Sequence, residues 1–204
     1  EQGIVLNYPE MQVENNVIAA NGTGIKLLGG DSDKSLIIHN NIIKNNSIYG
    51  LDLHNFEGLI THNTFELNQG NAINITNDAP APENFDLEIH ENSFIQNGDT
   101  ALVIQFDSPE DINATHNYWG YTDSASIDEN CIYHYYDNFN VAKVHFNPFY
   151  GDEVPPHRVA DFSASGQAGG VVYLDWARHV KAGKYYLYTD NASGTLDTTA
   201  AWQV

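Results

Sequence analysis

Apolar residues in the first two-thirds of the chain come in short alternating runs, broken by asparagine and glycine. In THNTFELNQGNAINI, residues 61 to 75, Phe65, Leu67, Ile73 and Ile75 call for a core, yet Asn63, Asn68, Asn71 and Asn74 stand among them. Asparagine is a poor helix former and is depleted in strands. The mixture therefore has to serve something other than an isolated element.

Set beneath one another on asparagine, five segments share a frame. The anchors are Asn16, Asn41, Asn63, Asn92 and Asn117, spaced 25, 22, 29 and 25 residues apart. Three before them stand Val13, Ile38, Ile60, Ile89 and Ala114, and two after them Ile18, Ile43, Phe65, Phe94 and Trp119. A second row, Asn21, Asn46, Asn68 and Asn97, lies five after the first four anchors. The pairs Ile25/Leu27, Leu51/Leu53, Ile73/Ile75 and Leu102/Ile104 follow, and GIVL at Gly3–Leu6 looks like the same pair in a preceding coil.

Period-2 alternation predicts strands, and the Asn and Gly interruptions predict bends. A period of 22 to 29 residues with no helical stretch predicts an all-β solenoid, each coil about 4.8 Å above the last. Stacking puts equal positions above one another. An inward asparagine then meets its own kind above and below, and its amide can both donate and accept along the stack. Asparagine also suits the left-handed conformation that sharp bends require. The nine anchor and second-row asparagines are therefore read as a structural ladder.

The repeats resemble the right-handed parallel β-helix repeats of secreted bacterial and archaeal proteins. HNYWGYTDSASIDENCIYHYYDNFNVAKVHFNPF, from His116 to Phe149, resembles the closing segment of many such helices. There an N-W-W-G coil is followed by I-D-x-x-I-Y-D and a G-K-V-x-F-x-P strand. Tyr118, Trp119, Gly120, Ile127, Asp128, Ile132, Tyr133, Lys143, Val144, Phe146 and Pro148 match, while His134 replaces Asp and Ala142 replaces Gly. The resemblance covers roughly residues 11 to 150 and implies a right-handed parallel β-helix. That fold serves pectin-cleaving enzymes, alginate epimerases, phage tailspikes, adhesins and plain surface proteins, so it leaves function open.

After GDEVPPH the composition changes. RVADFSAS, GGVVYLDWA and KYYLYTDNASG read as three strands. Trp176 on the second and Tyr186 and Tyr188 on the third resemble the first half of a fibronectin type III domain. The expected organisation is a β-helix over 1–150 with an aromatic C-terminal cap, a linker over 151–158, and a partial fibronectin type III-like β-sandwich over 159–204. A complete sandwich of that type takes about 100 residues and seven strands. The expectation is thus a truncated module, or one whose missing strands come from a partner by edge addition.

The chain carries 27 acidic and 8 basic residues, a formal net charge of -19. Residues 1–150 hold 21 acids and 4 lysines (-17), against 6 acids and 4 bases (-2) in the rest. Such a field repels nucleic acid and anionic membrane, and repels an acidic polysaccharide unless a cation intervenes. Cys131, the single cysteine, excludes an intrachain disulfide. No run approaches the roughly 20 apolar residues of a membrane span. No signal peptide is visible, and the opening EQGIVLN reads as the start of a mature fragment or excised piece.

Candidate chemistry is sparse. Asp31 and Asp33, in DSD, read as solvated loop charge, with calcium the ion that such hard oxygen ligands suit. The N-T-D, paired D-D, G-H-G and R-I-K signatures of pectin hydrolases are absent. For a uronate lyase the coils offer only Lys26, Lys34, Lys44 and Lys143, which read as solvated. His39, His62, His90 and His116 fall near one edge and hint at a metal comb. Their two rows alternate, so no adjacent coils carry His at the same position, and they read as outward packing residues. Trp119, Tyr121, Tyr135 and Tyr136 belong to an aromatic cluster that covers the open sheet edge, with a glycan platform as the alternative.

The favoured function is a non-catalytic, rigid, acidic, extracellular or cell-surface module that spaces, self-associates through open edges, or binds. The alternatives are a carbohydrate-active enzyme fragment (lyase, hydrolase or epimerase) and a polysaccharide-binding adhesin.

Overall fold

The computed structural model describes residues 1–6, 11–28, 35–81, 85–98 and 100–154, together with the backbone of four later strands. Two compact units emerge, Glu1–Arg158 and Val159–Val204.

The first unit is a parallel β-helix, as the column pattern requires. Sheet A joins Gln2–Leu6, Thr23–Leu27, Tyr49–His54, Ile73–Thr76, Leu102–Gln105 and Ile132–Tyr133. Sheet B joins Gln12–Glu14, Ser35–His39, Glu57–Thr61, Leu87–His90, Ile112–Asn113 and Val144–His145. Sheet C joins Val17–Ala19, Ile42–Lys44, Thr64–Glu66 and Ser93–Ile95. In sheet A the register stacks Ile4, Ile25, Leu51, Ile73, Leu102 and Ile132 in one row, so the GIVL run does begin a preceding coil. Sheet B stacks Val13, Ile38, Ile60 and Ile89, and sheet C stacks Ile18, Ile43, Phe65 and Phe94. These rows form one continuous core, in which each fully buried aliphatic side chain contributes about 1.5–3 kcal/mol.

The asparagine ladder is present. Oδ1 of Asn41 accepts from the backbone N and Nδ2 of Asn16 at 3.0 and 3.2 Å. Asn41 in turn donates through the same two groups to Oδ1 of Asn63, at 2.9 and 3.0 Å. The pattern repeats through Asn92 to Asn117. Asn46, Asn68 and Asn97 build the second ladder the same way, and Asn21 joins it through its backbone N alone, at 3.0 Å from Asn46 Oδ1. Buried amides this well partnered escape the cost of desolvation.

One expectation about these asparagines is corrected. The left-handed residue is not the ladder asparagine but the one before it: Asn15, Asn40, His62, Glu91 and His116 on one row, and Ala20, Asn45, Leu67 and Gln96 on the other. The preceding residue absorbs the bend, which frees the asparagine to point inward. Leu67 accordingly leaves the core and lies 43% exposed.

The all-β solenoid carries one helical insertion at its cap. Ser124–Cys131 forms an α-helix between the last full coil and the final strands. Asp123 caps it, accepting from the Ser126 amide at 2.9 Å, and these bonds to Ser126 hold its carboxyl below the usual range. The helix buries Ile127 and Cys131 against the end of the core.

In the second unit Ser163–Gln167 pairs antiparallel with Val171–Asp175, and Tyr186–Asp190 with Leu196–Gln203. Leu196–Gln203 is a strand that the sequence pattern did not mark. These two pairs are the order that the unit shows, and a sandwich is not seen among the described residues. Trp176 lies outside them.

Candidate functional site

Three features of the first unit place chemistry-bearing side chains together. The first is the bend between sheets B and C. Thr61 Oγ1 lies 2.9 Å from His62 Nδ1 and 3.3 Å from His90 Nδ1. Glu91 Oε2 lies 2.8 Å from His62 Nε2 and 3.5 Å from His90 Nδ1. The alternation of histidine positions therefore does not keep neighbouring coils apart. The left-handed backbone at His62 and Glu91 turns their side chains outward, toward the residue two before the anchor. One coil further down, His39 Nε2 meets Glu14 Oε2 at 2.9 Å.

This cluster is a hydrogen-bonded set rather than a metal comb. Two donors on one tetrahedral ion, each about 2.1 Å from it, sit about 3.4 Å apart, whereas His62 and Glu91 are at direct hydrogen-bond distance. Among the described residues no three His, Cys, Asp or Glu are placed to hold a metal ion. Cys131 is buried, its Sγ donates to the Trp119 carbonyl at 3.4 Å, and burial pushes the thiol up to about 11. Asp31 and Asp33, the calcium candidates, lie outside the described residues.

The second feature is a polar chain across the outer face of sheet A. Lys26 Nζ pairs with Asp52 Oδ2 at 3.0 Å, Asn74 Nδ2 donates to Asp52 Oδ1 at 3.0 Å, and Gln105 Nε2 donates to Asn74 Oδ1 at 2.8 Å. Lys26 points outward as expected, but it is engaged rather than simply solvated. Nearby, His54 Nε2 lies 3.1 Å from Asp78 Oδ2, and bonds from Asn55 and then His54 hold the Asp78 carboxyl below its usual range.

The third feature is the cap, where the aromatic set divides. Trp119 is 2% exposed and stacks on Phe94, with centroids 4.6 Å apart, so it closes the core and offers no platform. Its Nε1 is buried without a hydrogen-bond partner. Tyr121, Tyr135 and Tyr136 are exposed. Tyr135 contacts Tyr136 and Phe139 edge-on, at 5.6 and 5.1 Å. Beneath them His134 is buried between Asp128 and Val144. Its departure from the resembling segments marked the position, but nothing in the sequence assigned it a partner.

The protein-family model described as periplasmic copper-binding protein (NosD) matches residues 1–148. No curated protein and no solved structure matches the chain.

Proposed function

The chain belongs to the NosD family, and from that premise we propose that it is a non-catalytic, rigid β-helix scaffold working outside the cytoplasm. The observation that carries this reading is the doubled asparagine ladder, whose buried amides tie each coil to the next. Such a stack resists bending and proteolysis while presenting a fixed, strongly acidic surface. The winding belongs to the proposal as right-handed, the hand that parallel crossovers take in about 98% of cases. So does a fibronectin type III-like second unit, supported by its antiparallel strand pairs. Self-association through sheet edges is the mode of assembly proposed for it.

The family description speaks of copper and of the periplasm. The described residues do not fit copper: the lone thiol is buried and protonated, Met11 is the only thioether, and the imidazoles at the bend are hydrogen-bonded to Thr61 and Glu91. A copper site on this chain would draw on donors beyond them. Calcium at Asp31 and Asp33 remains part of the proposal as the ion their chemistry suits.

The test is direct. Purified protein is incubated with neutral and uronic polysaccharides, and new reducing ends and unsaturated uronates are measured. The scaffold reading expects neither product, and either one would replace it with a hydrolase or a lyase.

A further inference from the structure

A pocket of about 480 Å³ opens at the C-terminal end of the outer face of sheet A. That is within the range of small-molecule pockets, about 300–1,000 Å³. Thr100, Val103, Gln105, Tyr133, Asn138 and Val141 line it. Val103 and Tyr133 pair on adjacent strands and supply an apolar floor beside an aromatic ring. The wall that carries Asn138 and Val141 is fixed before any ligand arrives. Tyr135 N donates to Ala142 O at 3.1 Å, Ala142 N donates to Phe106 O at 2.7 Å, and the buried His134 lies beneath.

None of the six residues is charged, so recognition by ion pairing is excluded at the walls themselves. An anionic ligand would also face the field of the acidic coils. The hydrogen-bonding groups tell more. Gln105 Nε2 is held by Asn74 Oδ1 at 2.8 Å, and Asn138 Oδ1 accepts from Asn140 N at 3.1 Å. Gln105 Oε1, Asn138 Nδ2, the Thr100 hydroxyl and the Tyr133 hydroxyl have no hydrogen-bond partner among the described residues. One half of each amide is anchored, which orients the other half.

We infer that this pocket binds a neutral saccharide. A ligand that meets both donors and acceptors beside a ring and two valines needs hydroxyls that do both, and an apolar C–H face. A neutral sugar ring has both. The polar chain from Lys26 through Asp52 and Asn74 ends at Gln105 and holds that side chain in place at the pocket. The site goes beyond the scaffold reading and does not depend on it.

The ¹⁵N-labelled full chain is titrated with maltotriose, cellotriose, mannotriose and N-acetylchitotriose, with trigalacturonate as the anionic probe. The expected result is saturable shifts at Thr100–Gln105 and Tyr133–Val141 with at least one neutral trisaccharide and none with trigalacturonate. Tyr133→Ala and Gln105→Ala each weaken binding about tenfold. Gln105 is exposed, so Gln105→Ala keeps the test decisive should Tyr133→Ala fail to fold. No shift at millimolar sugar, shifts elsewhere only, undiminished binding in Gln105→Ala, or preference for trigalacturonate would overturn the assignment.

Discussion

His134 Nε2 donates to Asp128 Oδ1 at 2.8 Å while its Nδ1 accepts the Val144 amide at 3.0 Å, joining the cap helix to the last strand of sheet B. Accepting from a backbone N–H fixes the proton on Nε2. Where resembling segments carry an aspartate, this chain uses a side chain long enough to bond in both directions. His134→Ala leaves the Val144 N–H buried without an acceptor and should cost about 2 kcal/mol. A thermal melt reads this as a drop of about 4–8 °C, and an unchanged melt would show that the latch is ornamental.

The ladder should weaken unevenly. Asn63 Oδ1 accepts two bonds from Asn41, and its Nδ2 donates to Ile38 O at 2.8 Å and to Asn92 Oδ1 at 3.0 Å. Asn63→Ala orphans several of these buried groups and should cost about 4 kcal/mol, whereas Asn16→Ala, at an exposed position, should cost about 1 kcal/mol. Urea denaturation of the two variants measures the difference. Equal losses would mean that the amides do not act as a coupled stack.

Leu67 holds φ 53° at an exposed position, a conformation that disfavours a branched side chain by about 1 kcal/mol. Asn15, Asn40 and Asn45 occupy equivalent bends. Leu67→Asn should therefore raise stability by about 0.5–1 kcal/mol, read as a higher urea midpoint with an unchanged slope.

Burial lifts the Cys131 thiol from 9.0 to about 11. Between those pH values the unfolded chain has lost the proton and the folded chain still holds it. Stability from this group is therefore complete below pH 9, falls as pH rises, and levels off above about 11. The difference in urea midpoint between the natural chain and Cys131→Ala should follow that curve, since tyrosines and lysines titrate alike in both. Maleimide should label Cys131 slowly in the native state and rapidly in denaturant.

The coils were legible because they repeat. Each column offers several copies of one physical requirement, and Ile25, Leu51, Ile73 and Leu102 need no structure to be aligned. The cap occurs once and has nothing to align with. Ser124–Cys131 carries only Ile127 and Cys131 toward the core, too little for a helical period, although Asp123 three residues before Ser126 is a capping signal. The sharing of Thr61 and Glu91 by His62 and His90 was hidden for another reason. Columns treat successive positions as separate faces, and a left-handed bend carries one onto the other.

Both asparagine ladders run one way. At each step Oδ1 is turned toward the preceding coil and an amide N–H toward the next. Side-chain carbonyl dipoles aligned in a row add, as peptide dipoles do in a helix. The solenoid axis is therefore electrically polarised, with two inequivalent ends. At the C-terminal end the row stops inside the cap, where Asn117 Nδ2 turns back to the carbonyls of Ile89 and Ala114 at 2.6 and 2.8 Å, so the polarity of the stack ends on satisfied donors.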